Sequence, residues 1–239
     1  MTQAVKTVEL RAPGMTRMQE MAGRMWLPMF LMGAMVLMAS LGIGAVQSNF
    51  ASDFFEFDKE TREAADAPAF LIDKQQFIEH TSVWLPRFQL LGMGLMFSGI
   101  TFLLATILGN LSLAGAMVQK QSGRRMLAPK PPWSAELFPM LMMMGLMILI
   151  GAFVVSIVIA ESAARDVFGN PIATINAAES GSSLLGDFQD VKTFTAWLQA
   201  FAFTGLALVL SGIVLALYTI SQALRFQHGR IAAMARGAE

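Results

Sequence analysis

Four stretches of this chain, residues 26–46, 85–108, 137–160 and 197–220, contain no Asp, Glu, Lys, Arg or His apart from Arg87 near one edge. Each reaches the roughly 20 residues that a helix needs to cross a hydrocarbon layer of about 30 Å. In lipid an isolated strand would leave its N–H and C=O groups without partners, so each stretch must be a helix. The remaining residues are too few and too interrupted for a typical independent soluble domain. The chain therefore reads as an all-α integral membrane protein with four transmembrane helices. Charged residues make up only 14% of the 239 positions, against about a quarter in an ordinary soluble domain.

Charge sets the expected orientation. Segments 1–25, 119–136 and 223–239 hold eleven basic residues, among them Arg24, Arg124, Arg125 and Arg225, and four acidic ones. The loops 48–87 and 161–195 reverse the balance, with six basic and thirteen acidic residues. Basic residues in short loops mark the cytoplasmic side. Four crossings of the plasma (inner) membrane with both termini cytoplasmic satisfy this rule. One tryptophan stands at or just before the start of each apolar block, Trp26, Trp84, Trp133 and Trp197, where an amphipathic ring anchors at the headgroups. The expected division is 1–25 as cytoplasmic tail and start of the first helix, 26–118 as a hairpin with outer loop 48–84, and 119–136 as a basic linker. A second hairpin, 137–224 with outer loop 161–195, precedes a basic cytoplasmic tail, 225–239. The first block starts late and runs long, as an uncleaved anchor does.

The second and fourth blocks are versions of one another. Shifting 84–111 by 113 positions onto 197–224 matches twelve of 28 residues, including Trp84/Trp197, Phe88/Phe201, Gly92/Gly205, Ser98/Ser211, Gly99/Gly212 and Thr106/Thr219. Composition alone would give roughly three or four. The first and third blocks match more loosely, through Leu27-Pro28-Met29 and Phe138-Pro139-Met140. Two copies of a helical hairpin with the same orientation are expected, related by a pseudo-two-fold axis along the membrane normal. Their outer loops are too long for simple turns and are expected to form small extracytoplasmic caps. A short helix is predicted over 58–67, a second over 73–84 that runs on into the second span, and a helical lead-in to the fourth span from about Leu184, with a turn at Gly169-Asn170-Pro171 and a joint at Gly181. A capping-box pattern, Thr16 with Gln19, predicts a helix that begins before the lipid. Pro28 then falls inside that helix, while Pro129, Pro131 and Pro132 prevent a continuous helix between the hairpins.

The repeated Gly92, Ser98, Gly99 and Thr106, and Gly205, Ser211, Gly212 and Thr219, are read as helix-packing positions. Small residues let backbones approach where no hydrophobic force drives association. Met18, Met21, Met25, Met32 and Met35 recur on one helix face. Thioethers can hold Cu(I), but a stripe without Cys or His beside it reads as packing rather than as a copper site. The chain lacks cysteine entirely, which excludes disulfides, thiolate metal sites and cysteine nucleophiles. His80 and His228 are expected on opposite sides of the membrane, and Glu79-His80 with Asp73 lacks a metal-binding spacing. The acidic Asp53, Glu56, Asp58 and Glu60 do not match a calcium-loop pattern.

Nucleotide-binding and acyl-transfer motifs are missing, and no ionisable residue lies deep in the apolar blocks to serve as an ion path. Ser40, Thr101, Ser156 and Thr204 are hydroxyls of the kind that bond back to their own helix. No catalytic residue, cofactor, metal or nucleic-acid partner is therefore assigned, and the enzyme reading is disfavoured. The expected partners are membrane lipid and other integral membrane subunits. The expected role is a non-catalytic accessory or scaffold subunit of a larger membrane complex, such as a redox or oxygenase assembly whose partner holds the cofactors. A homo-oligomeric channel or small-molecule transporter is the alternative, and a membrane enzyme using His80 and Glu79 ranks third.

Overall fold

A computed structural model describes residues 15–121 and 132–236, and those residues form helices joined by short turns, with no strand among them. The helices are α1 (Met15–Phe55), α2 (Lys59–Glu63), α3 (Ala69–Gln121), α4 (Trp133–Ile159), α5 (Arg165–Phe168), α6 (Ile172–Asn176) and α7 (Ser183–Arg236). A π-helical turn, Ala160–Ala164, joins α4 to α5. Four of these are long and apolar enough to cross a membrane, over Met21–Phe55, Ala69–Leu111, Trp133–Phe168 and Ser183–Gly229. The chain is a membrane protein on that ground. Residues 1–13 and the prolines Pro129 and Pro131 lie outside the described residues, as do the side chains of Thr16 and Gln19. Pro132 sits at the N-cap of α4.

The helices are much longer than the apolar blocks. At 1.5 Å per residue, the 53 residues of α3 and 54 of α7 each run roughly 80 Å, far beyond a hydrocarbon core of about 30 Å. The predicted helix over 73–84 is thus the first part of α3, which begins right after Pro68. The predicted helix over 58–67 is reduced to the single turn of α2, because Ala64 turns extended and Pro68 comes soon after it. At its start the Thr61 hydroxyl donates to the Asp58 carboxylate at 2.6 Å. That bond is the main cause holding the Asp58 carboxyl below its usual range. A depressed acid stabilises the fold above the unfolded carboxylate range and loses that contribution as pH falls through the lowered value.

Pro28, Pro86 and Pro139 all lie inside helices. Each removes one backbone donor, which membrane helices tolerate when neighbours re-satisfy the freed groups. The carbonyl that Pro86 frees is that of Ser82, and Arg87 Nη1 donates to the next one, Val83 O, at 3.0 Å.

The packing divides the spans into two antiparallel pairs, α1 on α3 and α4 on α7, with α3 seated against both helices of the second pair. Glycines set the crossings. A Cβ on Gly33 would lie 2.5 Å from Met96 N and 2.6 Å from the Gly92 carbonyl oxygen. On Gly145 it would lie 2.5 Å from the Gly205 carbonyl oxygen and 2.9 Å from Val209 N. These are the same contact made twice, since Gly92 and Met96 correspond to Gly205 and Val209 at the offset of 113. A second pair repeats it: Gly99 faces Trp26 O and Phe30 N, and Gly212 faces Phe138 O and Met142 N. Gly33 and Gly145 are 112 residues apart, so the first and third helices align one position away from the match suggested by their prolines.

Between the pairs, however, the arrangement departs from a two-fold. Such an axis would bring α1 against α7 as closely as α3 lies against α4. Among the described residues α3 packs on α4 and α7, and α1 makes no comparable packing with either. The physical reason is that α3 has a second small-residue face. Gly94 meets the Leu149 side chain, and Ser98 and Thr101 on the same face are buried. The equivalent face of α7 is open.

Replacing Gly33 or Gly145 with Ala is expected to cost about 1–3 kcal/mol, because the obstructing atoms are backbone and overpacking cannot be relieved by a side-chain rotation. Gly151→Ala, where the Cβ meets nothing within 4 Å, is expected to leave stability unchanged. Thermal unfolding of the three variants in detergent checks the contrast.

Candidate functional site at the junction of the two hairpins

Both long connections lie at the same end of the helices, opposite the chain ends. The first forms a small aromatic cap: Phe50 meets Phe77 in a tilted pair with ring centroids 4.7 Å apart, and Phe57 meets Phe70 at 5.6 Å. Arg62 lies over Phe55, 4.7 Å from its centroid, and donates from Nε to the Phe57 carbonyl at 3.0 Å. Lys74 pairs with Asp53 at 3.0 Å, tying the cap to α3. The second connection has a core of its own, in which Ala160, Ala164, Val167, Phe168 and Ile175 pack against Val83 of α3 and Val191 of α7.

The two caps meet across the π-turn. By adding a residue to one helical turn, a π-bulge rotates the rest of the helix about its axis, and such bulges are frequent at functional sites. Here it buries Ala160 and Ala164 completely and leaves Glu161 and Arg165 on the outside. Glu161 Oε1 lies 3.2 Å from His80 Nε2 of α3, and Arg165 lies 3.5 Å from the other carboxylate oxygen. Gln76 Nε2 donates to the Arg165 carbonyl at 3.0 Å. A His–carboxylate–guanidinium cluster at the surface offers hydrogen-bond donors and acceptors to a polar partner. Among the described residues no three His, Asp or Glu side chains come together as a metal site.

Beneath this cluster lies Arg87, the residue that most sets the junction apart. It is 2% exposed. Its Nη1 donates to Val83 O and its Nη2 to the Thr195 carbonyl of α7. Arg87 Nε and Thr195 Oγ1 are buried without a hydrogen-bond partner among the described residues. None of the carboxylates among those residues pairs with the guanidinium. A cation held by carbonyls alone is costly to bury, and ionisable residues inside membrane segments most often serve function. From the sequence Arg87 is only a charge at the edge of an apolar block. Its position between Pro86 and a helix that bears Thr195 at the same depth is visible only in the fold.

The structure places the other sequence-derived residues in several settings. Gly92, Gly99, Gly205 and Gly212 are buried at the crossings, whereas Ser98 is buried without a partner among the described residues and Ser211 is exposed. Thr106 bonds to Phe102 O. Thr219 bonds to Leu215 O and also meets Ser134 Oγ at 2.7 Å, a cross-helix bond in the second pair. Its counterpart in the first pair cannot form, because Ala22 stands where Ser134 would be. Ser40, Thr101, Ser156, Thr204 and Ser211 bond back to their own helices. Trp26 and Trp84 are half-buried, while Trp133 and Trp197 are exposed. The methionine stripe faces outward at Met21, Met25, Met32 and Met35; the Met18 side chain lies outside the described residues. Gly33, Gly145, Ser134 and Glu161 escaped sequence reasoning. Only the glycines carried a signal, in the register between the first and third blocks.

The site and fold define an all-helical membrane protein with four helices long and apolar enough to span, and with a buried arginine where α3 meets α7. No protein-family model matches the chain, and no curated protein or solved structure matches it.

Both carbonyls that receive Arg87 are also placed to accept ordinary helix bonds, so removing the guanidinium strands no acceptor. Arg87→Met, which fills the same space, is therefore expected to hold or raise the unfolding midpoint. Arg87→Ala is expected to fall about 2 kcal/mol below Arg87→Met through the cavity it leaves. Thermal unfolding of both variants beside the wild type measures the difference.

Proposed function

We propose that this chain is a non-catalytic accessory or scaffold subunit of a larger complex in the plasma membrane, such as a redox or oxygenase assembly whose partner carries the cofactors. The observation that carries this reading is the exposure of α1. That helix packs along one side on α3 and presents Met21, Leu31, Met35, Met38 and Leu41 on the other, each at least half exposed. On α4, Met140, Met143, Met147, Val154 and Val158 are open to the same degree. Methionine suits an interface that must adapt to a partner, because its thioether stem is flexible and polarisable. The hydroxyl groups facing the spans are mostly spent on their own helices, which favours packing over a solute path. The cluster of His80, Glu161 and Arg165 offers a polar contact on the cap side.

This reading includes an internal repeat: two hairpins, 26–118 and 137–224, set parallel in the membrane by rotation about its normal, with segment 119–136 and both termini cytoplasmic. The duplicated glycine contacts support the repeat, and the excess of basic residues at the chain ends supports the orientation. The division into tails, linker and caps rests on the same reading, as does the role of the four tryptophans as interface anchors.

Single cysteines at Ser48, Gly123, Ser182 and Gly237 can be introduced into a background free of other thiols. An impermeant thiol reagent applied to intact cells is expected to label the positions at Ser48 and Ser182 only; labelling at Gly123 or Gly237 would reverse the orientation. For the role itself, purification from the native membrane in mild detergent is expected to bring down a stoichiometric set of catalytic subunits. A lone protein that conducts a solute in liposomes would refute the accessory reading.

A further inference from the structure

In the proposed repeat, α3 and α7 are counterparts, yet their surroundings differ. The face of α3 that includes Gly94 and Ser98 is covered by the second hairpin: the Leu149 side chain lies over Gly94, and Phe88 meets Phe153 with centroids 5.2 Å apart. Moving each of these residues by the repeat offset gives the counterpart contact. Gly94 and Ser98 become Ala207 and Ser211 on α7, and Phe88 becomes Phe201. Leu149 and Phe153 become Leu37 and Leu41 on α1.

Within one chain the counterparts do not meet. Ala207 and Ser211 are exposed, and Phe201 and Leu41 are 39% and 64% exposed. Leu149 is 1% exposed, whereas its counterpart Leu37 is half-buried. Leu37 packs on Gly92 of its own hairpin, as Leu149 packs on Gly205, but no helix among the described residues covers its other side or Leu41 as α3 covers Leu149 and Phe153. Each hairpin thus has one projecting face, on its second helix, and one receiving groove, beside its first. Inside the chain the projecting face of the first hairpin fills the groove of the second. The projecting face of the second and the groove of the first remain open, and they are counterparts of surfaces that already fit one another.

We infer that the open face of α7, centred on Ala207 and Ser211, docks into the groove beside Leu37 and Leu41 of a second copy of this chain, continuing the packing that joins its own two hairpins. Such a contact is heterologous, with different surfaces on the two partners, so it closes into a ring when the rotation per step divides a full turn and extends otherwise. Small residues at Ala207 and Ser211 permit the close approach that membrane helices need. Arg87 has Ala200 as its counterpart, so the contact between copies lacks the buried cation. That difference lets the junction within a chain and the junction between chains differ in strength without differing in geometry.

The inference rests on the repeat, and the experiment separates the two. In native membrane vesicles, one tagged chain carries Leu41→Cys and a differently tagged chain carries Phe201→Cys, and a short bifunctional thiol reagent is added. Only contact between copies can join them, since the chain has no other thiol. A control chain carries Phe88→Cys and Phe153→Cys together, the same contact within one molecule. The expected result is a cross-linked pair bearing both tags, lost when Ala207→Trp is added to the chain carrying Phe201→Cys, together with an intramolecular link in the control. A linked control without a mixed pair would leave the packing within the chain intact and overturn the inference, showing the face covered by lipid or another protein. A pair formed between two Phe201→Cys chains would overturn it also, by showing a symmetric contact. Failure of the control would show that the junction within the chain is not formed, and would overturn the inference with it.

Discussion

Helices that already sit in lipid gain nothing hydrophobic by meeting, because the surroundings are as apolar as a leucine side chain. Their association must come from close packing and from the few polar bonds that can form. In this protein that constraint is met where backbone touches backbone, at Gly33 against Gly92 and at Gly145 against Gly205. The approach depends on the missing Cβ of Gly33 in the first crossing and of both Gly145 and Gly205 in the second, while a Cβ on Gly92 would meet the side chains of Val36 and Leu37. Once those crossings are set, Gly99 and Gly212 fall against the neighbouring turns of the first and third spans, and the rest of each antiparallel pair is positioned along its length.

The glycine crossings leave open how the pairs combine, and here α3 has two duties. One face closes on α1 and the other enters the second hairpin, where Gly94, Ser98 and Thr101 make room for Leu149 and its neighbours. Arg87 lies at the end of that second face, donating to carbonyls of both α3 and α7. At the opposite end Gln227 of α7 donates to the Leu111 carbonyl at 2.7 Å. Polar bonds therefore tie α3 to α7 at both ends, with an apolar seam between. The cap side adds the hydrogen bond between His80 and Glu161, so polar bonds join α3 to the second half of the chain where water is near and close packing joins them where it is excluded. The proposed role as an accessory subunit places function on the surfaces this arrangement leaves open, α1 and the outer face of α4, and on the polar junction above Arg87.

Much of this architecture was legible in the sequence because lipid imposes so few solutions. An uncharged run of more than 20 residues must be helical and is long enough to span, so four spans and their long connections could be read directly. The identity of Gly92 with Gly205 and Gly99 with Gly212 marked the packing faces, since a three-four spacing places such residues together on a helix. The start of α7 near Leu184 and the break at Gly169-Asn170-Pro171 came from local backbone preferences. Less legible was anything set by a neighbour. Gly33 and Gly145 look like any other glycines in an apolar run, and Gly151, equally plausible by sequence, faces open space.

The sequence by itself determined that the chain carries four runs long and apolar enough to cross a membrane, where they lie, and which of their faces carry small residues. Each of these depends on properties local to a segment: its length, its hydropathy, its periodicity. Tertiary structure alone decided which helix each face meets. The same small-residue pattern on α3 and α7 is covered in one case and open in the other, and Arg87 became a buried cation only because α7 brings Thr195 beside it. Periodicity specifies a direction around a helix axis, but the partner found in that direction depends on the packing of all four spans at once.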